Sequence, residues 1–355
     1  MEIKKISLTN FRNYKNQSYD FSNSLNIITG PNGSGKTNLV EAIYYLSLSK
    51  SFRTNQDDVL INNSSNQAEI SAVITEGEIT KKIVIDITKD GKRILVNNKP
   101  IAKLSELASI TNIVLFEPKD VLLFKGSPKA RRNFLDISIS KTNQMYFEYL
   151  LRYEKALKQR NDLLKENKPD ETMLEVTTEM LVKLSGPIIA YRQTYIDSVN
   201  QVLSKIVKSI SNENMNVRIV YKPYAEYGLD FQNNAYKMFE NNLNIDLMRK
   251  STSIGVHRED FVMLMNNQNI AEYGSQGENR IVSLALKLAP YFLISDKDKK
   301  PIVILDDVMS ELDETHQKRL IEFLKKMNQV FITGTNLEVT GASHYHIKKK
   351  NKEVF

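Results

Sequence analysis

The chain has 355 residues, a formal net charge of +7, an isoelectric point of about 9.1 and no cysteine. That length suits two or three subdomains around a sizeable core, and the lack of cysteine excludes disulfides and thiol chemistry and fits a cytoplasmic location. No run of 18 apolar residues and no apolar leader centre occurs, so no membrane association is expected. The cationic excess fits a nucleic-acid partner, although many basic proteins bind none.

The first 50 residues read as strand, strand, glycine loop and helix. MEIKKISLTNF alternates apolar and polar residues, and Leu25, Ile27 and Ile28 form a short buried strand. The run Gly30, Pro31, Asn32, Gly33, Ser34, Gly35, Lys36, Thr37 fits G-x-x-x-x-G-K-[ST], the phosphate-binding loop of nucleotide hydrolases. Leu39, Ala42, Ile43 and Leu46 follow at helical spacing. The chemistry requires this order. The glycines admit backbone angles that side chains forbid. Backbone N–H groups at the helix N-terminus then face phosphate oxygens. Lys36 adds a charge for the terminal phosphates, and Thr37 offers a hydroxyl to Mg²⁺.

From Glu69 to Lys99 the period changes to two, with Asp90-Gly91 as a hairpin signal, which predicts a small antiparallel sheet. A buried strand is expected at Ile113 to Phe116. Ser127-Pro128 reads as a helix cap with a first-turn proline. Phe147 to Leu164 carries one long amphipathic pattern, and a second runs from about Glu171 to Ile210, where Gly186-Pro187 should kink or break it. One more strand is expected at Val217 to Tyr221.

Residues Pro301 to Asp313 read PIVILDDVMSELD. Four apolar residues ending in two aspartates make a Walker B pattern, a buried strand that delivers carboxylates to its C-terminal end. Asp306 would hold the Mg²⁺ shell, and Asp307 would orient or deprotonate the attacking water. Gly274 to Arg280 read GSQGENR before an apolar helix and resemble the ABC signature. Ser275, Gly277 and Glu278 would then offer an open helix N-terminus to an anion; a plain helix cap is the competing reading.

In this order the motifs resemble the ABC-type ATPases of the SMC and RecF group. Within it, NFRNY at Asn10 to Tyr14, SFRT at Ser51 to Thr54, FEPKDVLLFKGSPKARRNFLD at Phe116 to Asp136, YEKALKQRNDLL at Tyr153 to Leu164 and GVHREDF at Gly255 to Phe261 resemble the RecF family over essentially the whole chain. The resemblance implies an α/β fold: an ABC-type ATPase head with a mixed sheet around the phosphate loop, a small antiparallel β-subdomain and a helical lobe or arm. Segments 1–126, 127–250 and 251–355 would hold the N-terminal ATPase lobe, the helical lobe, and the C-terminal ATPase part with signature, Walker B and D-loop. It also implies ATP and Mg²⁺ as cofactors and an ATP-dependent homodimer. Each ATP would lie between Lys36 of one chain and Ser275 of the other, with Lys36 and Asp307 serving hydrolysis.

The implied function is sequence-nonspecific DNA binding as an ATP-gated clamp at gaps. It would support recombinase loading, replication restart and the SOS response, with a RecR-type partner and RecO in the same pathway. The alternatives are a nuclease-linked ABC ATPase, disfavoured because 42 residues follow Asp313, and an ATP-binding scaffold with negligible turnover.

Some positions depart from the family pattern. GPHRDD stands here as GVHRED, with Val256 and Glu259. Gly334, Thr335 and Asn336 follow the strand after Walker B where transporters carry a switch histidine, so a hydroxyl or amide would sense the terminal phosphate. Asp307 replaces a glutamate, which implies slow hydrolysis. Arg12 and Arg53 either reach phosphates, as the resemblance implies, or are solvated or ion-paired. His257 either bonds locally or faces a ligand. His344 and His346 have no carboxylate cluster beside them for a metal. Basic clusters at Lys81-Lys82, Lys92-Arg93, Lys129 with Arg131-Arg132, Lys155 with Lys158 and Arg160, and Lys297 to Lys300 are candidates for phosphate contact. No base-reading motif occurs.

Overall fold

The computed structural model describes residues 1–101, 106–107 and 110–349. Parts of the expected 1–126 segment, and the last six residues of the 251–355 segment, lie outside them. The chain divides into two compact units. The first comprises Met1–Val121, Lys205–Glu213 and Arg280–Phe355; the second comprises Leu122–Ser204 and Asn214–Asn279.

Two sheets make the first unit. Strands β1 (Glu2–Phe11), β2 (Tyr14–Asp20), β4 (Gln67–Glu76), β5 (Ile79–Thr88), β6 (Gly91–Val96) and β7 (Lys99–Pro100) form an antiparallel sheet in the order β2-β1-β4-β5-β6-β7. One face is buried. Ile70 stands between Leu8 and Ile85, and Ala72 between Ile6 and Ile83, the alternation that a half-buried sheet requires. This sheet is larger than the period-two stretch suggested, because the N-terminal strands join it by long-range pairing.

Strands β3 (Leu25–Thr29), β8 (Ile113–Phe116), β12 (Ile302–Leu305), β13 (Val330–Gly334) and β14 (Ser343–His346) form the second sheet, all parallel, in the order β14-β3-β13-β12-β8. Its β8 and β12, IVLF and IVIL, are buried at every residue. Helix α1 (Lys36–Leu48) supplies Leu39, Val40, Ala42, Ile43 and Leu46 to one continuous core shared with residues of both sheets. The carboxyl ends of β3, β12 and β13, where open α/β sheets bind ligands, thus carry Gly30, Asp306 and Thr335.

The second unit holds the helices Pro128–Ser140, Gln144–Leu164 and Phe231–Arg249, most of the helix Glu171–Ser211, and a three-stranded sheet of β9 (Val217–Lys222), β10 (Asp260–Met265) and β11 (Gln268–Asn269). Ser127 caps its helix by accepting from the Ala130 N–H, with Pro128 in the first turn, as the sequence predicts. Of the kink or break expected at Gly186-Pro187, the break does not occur. A single helix of 41 residues runs through Pro187, about 60 Å at 1.5 Å per residue. Buried Leu181, Val182, Ile188 and Ile189 on both sides hold it together, so tertiary packing overrides the lost backbone bond. Among the described residues, no helix is long and apolar enough to cross a membrane.

Candidate nucleotide-binding site

The phosphate loop joins β3 to α1, and its glycines are demanded by their surroundings. Gly30 has φ 149°, and a Cβ there would run into the Ile347 carbonyl oxygen. Gly35 has φ 116°, and its Cβ would meet Asn13 Nδ2 at 2.6 Å; Gly33 has φ 77° with open space around it. Side chains would be strained at all three. Lys36 is 8% exposed, and its ammonium turns back on its own loop, donating to the carbonyls of Gly30 at 2.7 Å and Pro31 at 3.1 Å. Ser34 Oγ is buried without a partner. A loop with an orphan hydroxyl, and an ammonium bonded to backbone carbonyls, fits an anion that would engage both. Pro31, Asn32 and Gly33 are exposed around it.

Asp306 directly follows β12 and meets this loop at Thr37. Its Oδ1 accepts from Thr37 Oγ1 at 3.3 Å and from Thr333 Oγ1 at 2.7 Å. Burial, with the charge of Asp307 adding to it, pushes the Asp306 pKa above the usual carboxylate value; the two hydroxyl bonds oppose the shift. A divalent cation would relieve that burden. Thr37 and Asp306 fit Mg²⁺ as a partial ligand set completed by water and phosphate oxygens. No cluster of three or more metal-ligating side chains exists among the described residues.

Asp307 is exposed, with φ 54°, an unusual conformation for a residue with a side chain. Its N–H donates to Thr333 Oγ1 at 2.8 Å. Thr333 therefore fixes both aspartates at once, a role invisible in sequence because β13 is distant in the chain. Beyond it, Thr335 and Asn336 are exposed and line a cavity of about 1040 Å³ with Thr29, His344 and His346.

The NFRNY segment braces the loop from behind. Asn13 Nδ2 donates to the Ser34 carbonyl at 2.9 Å, Tyr14 OH donates to the Gly35 carbonyl at 3.0 Å, and Asn38 Nδ2 donates to Asn13 Oδ1 at 2.8 Å. Arg12 and Arg53 take the ion-pair alternative. Arg12 clasps both oxygens of the buried Glu41 at 2.7 and 2.9 Å, and Arg53 reaches Glu41 at 3.3 Å. Asn13, Tyr14, Asn38 and Glu41 were not legible as site residues. For Asn13 and Tyr14 the signal was the NFRNY run, whose role needs the fold; Asn38 and Glu41 lie in α1 and carried none.

The signature turn lies in the second unit and opens the helix Gln276–Leu293. Ser275 N–H donates to Glu278 Oε2 at 2.7 Å, and Glu278 N–H donates to Ser275 Oγ at 3.2 Å. The pair is a capping box. Gly277 is exposed, and a Cβ there would meet nothing within 4 Å. Arg280 reaches forward to the SELD segment and donates to the carbonyl and carboxylate of Glu311.

With this geometry in place, sequence comparison assigns the family. Residues 2–353 match the family described as RecF/RecN/SMC N terminal domain. The DNA replication and repair protein RecF of Clostridium novyi (strain NT) is 38% identical over 339 residues, covering 95% of this chain and 94% of that protein. The chain belongs to the RecF family. The RecF of Oceanobacillus iheyensis is 36% identical over 348 residues, covering 95% of this chain and 94% of that protein. A solved structure described as the recombination mediator protein RecF-ATPrS in the RecFOR pathway aligns with TM-score 0.89 at 34% identity, covering 98% of this chain and 96% of that one. An SMC head bound to the C-winged helix domain of ScpA aligns with TM-score 0.57 at 18% identity, covering 94% of this chain and 89% of that one, a likeness of fold. The RecF-family fold is thus an α/β head of the ABC ATPase type.

Other candidates in this RecF-family chain resolve individually. His257 bonds locally, through Nδ1 to Tyr153 OH at 2.8 Å and through Nε2 to the Thr252 carbonyl at 3.1 Å. Burial, against the bond to Thr252, lowers its pKa to about 4. Arg160 is 1% exposed and bonded to Asp246, Thr178 and Thr252, so burial removes it from any DNA-contacting cluster. Lys81 pairs with Glu76, and Lys92 with Asp57. Glu259, which stands where the family pattern has aspartate, is buried and accepts from Arg192, Tyr221 and the Tyr224 N–H.

Proposed function

We propose that the chain is an ATP-dependent DNA-binding repair protein that closes on DNA as an ATP-gated dimer and opens on hydrolysis. The observation that carries this reading is the convergence of Lys36, Thr37, Asp306 and Thr333 at the strand ends, in a chain whose RecF relative was solved as RecF-ATP with TM-score 0.88. Lys36 leaves the Gly30 and Pro31 carbonyls for the β- and γ-phosphate oxygens. Gly30 to Thr37 cradle the triphosphate with backbone N–H groups and the orphan Ser34 hydroxyl. Thr37 and Asp306 hold Mg²⁺, which when bound neutralises developing charge on the phosphates. Asp307 accepts the proton of the attacking water, its carboxylate aimed by the strained backbone and the Thr333 bond.

Ser275, Gly277 and Glu278 serve the ATP of the partner subunit. Support comes from Gly277, for which the chain itself supplies no steric reason: its φ is ordinary and its surroundings are open. A hydroxyl and a bare backbone at a helix N-terminus suit a phosphate arriving from outside. DNA is held through phosphates without base reading, and a RecR-type partner and RecO act in the same pathway, at gaps where recombinase is loaded and replication and the SOS response depend on repair. The cell compartment is the cytoplasm.

Light scattering without nucleotide and with ADP, ATP and a non-hydrolysable analogue tests this. Mass should double with ATP and stay doubled with the analogue. A mass independent of nucleotide would instead support a constitutive scaffold.

A further inference from the structure

In the second unit the KARR run and the GVHRED turn lie together, and their charges do not pair off evenly. Arg131 is committed: Nε and Nη2 bond the two oxygens of Asp260 at 2.7 Å, and Nη1 bonds the Phe124 and Gly126 carbonyls at 3.0 and 2.7 Å. Arg192 is 1% exposed and takes both Glu259, at 2.7 Å, and Asp136, at 2.9 Å. Asp246 belongs to Arg160. Arg132 and Arg258 are left over. Arg132 Nη1 bonds the Glu259 carbonyl at 2.5 Å, and Arg258 Nη2 bonds the Thr252 carbonyl at 3.4 Å. Among the described residues neither has a carboxylate at ion-pair distance.

The nearby carboxylates Asp136, Asp246 and Asp260 are each bonded to other arginines. His257, beside Arg258 in the chain, has both ring nitrogens bonded and is neutral near pH 7. Burial, then repulsion from Arg192, pulls the Arg132 pKa below its usual value; Arg258 adds to the repulsion, and Asp260 and Asp136 oppose it. Charge runs are usually solvated faces that neutralise themselves. This one does not, and its backbone is fixed. Gly255 has φ 118° and packs against Tyr153 OH, the buried Val256 gives its carbonyl to Arg192 at 2.9 Å, and Glu259 is anchored at the hub. Arg258 is therefore an exposed cation on a rigid turn. Lys125 and Lys129, both exposed, continue the strip in the chain segment that carries Arg132, an extended array better matched to a polyanion than to a single phosphate.

We propose that Arg132 and Arg258 form a binding site for the phosphodiester backbone of DNA. Guanidinium forks grip phosphate oxygens in pairs, and a preorganised turn limits the ordering lost on binding. The site rests on the reading of the chain as a DNA-binding protein and says where that contact lies.

The test measures affinity of the full chain, with ATP, for a labelled gapped duplex between about 50 and 200 mM salt. Compared are the parent, Arg132→Ala, Arg258→Ala, the double variant and Arg258→Lys, with thermal melts and fluorescent ATP-analogue affinity measured alongside. Each single alanine should lower the slope of log K against log salt by about 0.9, and the double by about twice that. Arg258→Lys should keep the slope, and analogue affinity without DNA should not move. Arg258 is exposed, so its variant stays informative even if Arg132→Ala melts early. Unchanged slopes while the parent binds DNA would overturn this site alone. Weakened analogue affinity would reassign the pair to a nucleotide phosphate and overturn it too. A parent that binds no DNA would overturn both the site and the functional reading beneath it.

Discussion

Two helix N-termini in this molecule carry the same ingredients, glycine and a hydroxyl, and treat them differently. In the phosphate loop the chain itself dictates the glycines: the Ile347 carbonyl excludes a side chain at Gly30, and Asn13 excludes one at Gly35. Its polar groups are also left expectant, with Ser34 Oγ unpartnered and Lys36 bonded to carbonyls. In the signature turn the polar groups are satisfied, since Ser275 and Glu278 cap each other, while Gly277 faces open space. The first site is shaped from within for an anion that enters it. The second is satisfied without a ligand and leaves its backbone open at Gly277. A nucleotide gripped by the first and covered by the second of another copy would use both properties.

Substitutions can break or sharpen that contrast. Asp307→Asn should have the largest effect, slowing single-turnover hydrolysis by about 10² to 10⁴, the usual worth of a general base. ATP binding should survive, because Asp306 and Thr37 are intact, and the ATP-bound dimer should persist longer. Normal hydrolysis would remove Asp307 from its role.

Gly30→Ala should follow. The new methyl has no room beside the Ile347 carbonyl, so the loop must shift. ATP-analogue affinity should fall about a hundredfold, the equivalent of about 3 kcal/mol, with a lower melting temperature. Lys36→Ala should weaken analogue binding by about ten- to a hundredfold, the worth of a charge-assisted bond of about 1.5–3 kcal/mol, without lowering the melting temperature comparably. Fluorescence titration and thermal melts separate the two.

Gly277→Ala should have the smallest effect on the monomer. With nothing within 4 Å of the added methyl, stability should change by less than about 0.5 kcal/mol and analogue affinity should not change. ATP-driven mass doubling should weaken, because the methyl would stand where another copy's nucleotide approaches. Intact dimerisation of this variant would mean the open space has no occupant.

The phosphate loop, the Walker B strand and most strands and helices were legible because each is local. Ile302–Leu305 needs only four consecutive apolar residues, and the loop only its fixed offsets. What could not be read depends on contacts distant in sequence. Thr333 acts on Asp306 and Asp307 across a parallel strand pair. Asn13 and Tyr14 act on Ser34 and Gly35 from the antiparallel sheet. Glu41, on the core side of α1, decides that Arg12 and Arg53 are ion-paired. At Pro187 local propensity allows a break that does not occur, because buried residues on either side outweigh it. Arg160 was read as a surface cation in a basic run; only the position of Asp246, 86 residues later, shows that it is interior.

The central claim is that each catalytic site is shared between two copies, and one complementation experiment tests it most directly. Lys36→Ala lacks a working phosphate loop and keeps its signature turn; Ser275→Arg keeps the loop and places a large cation at the turn. Each alone should be inactive as an ATPase, and Ser275→Arg should bind the ATP analogue as a monomer with nearly parental affinity. Mixed in equal amounts, they can form a dimer in which one site carries both defects and the other carries neither. The account predicts partial recovery of ATP hydrolysis in the mixture. Ser275→Arg that dimerises and hydrolyses ATP like the parent, or a mixture that stays as inactive as its components, would contradict it.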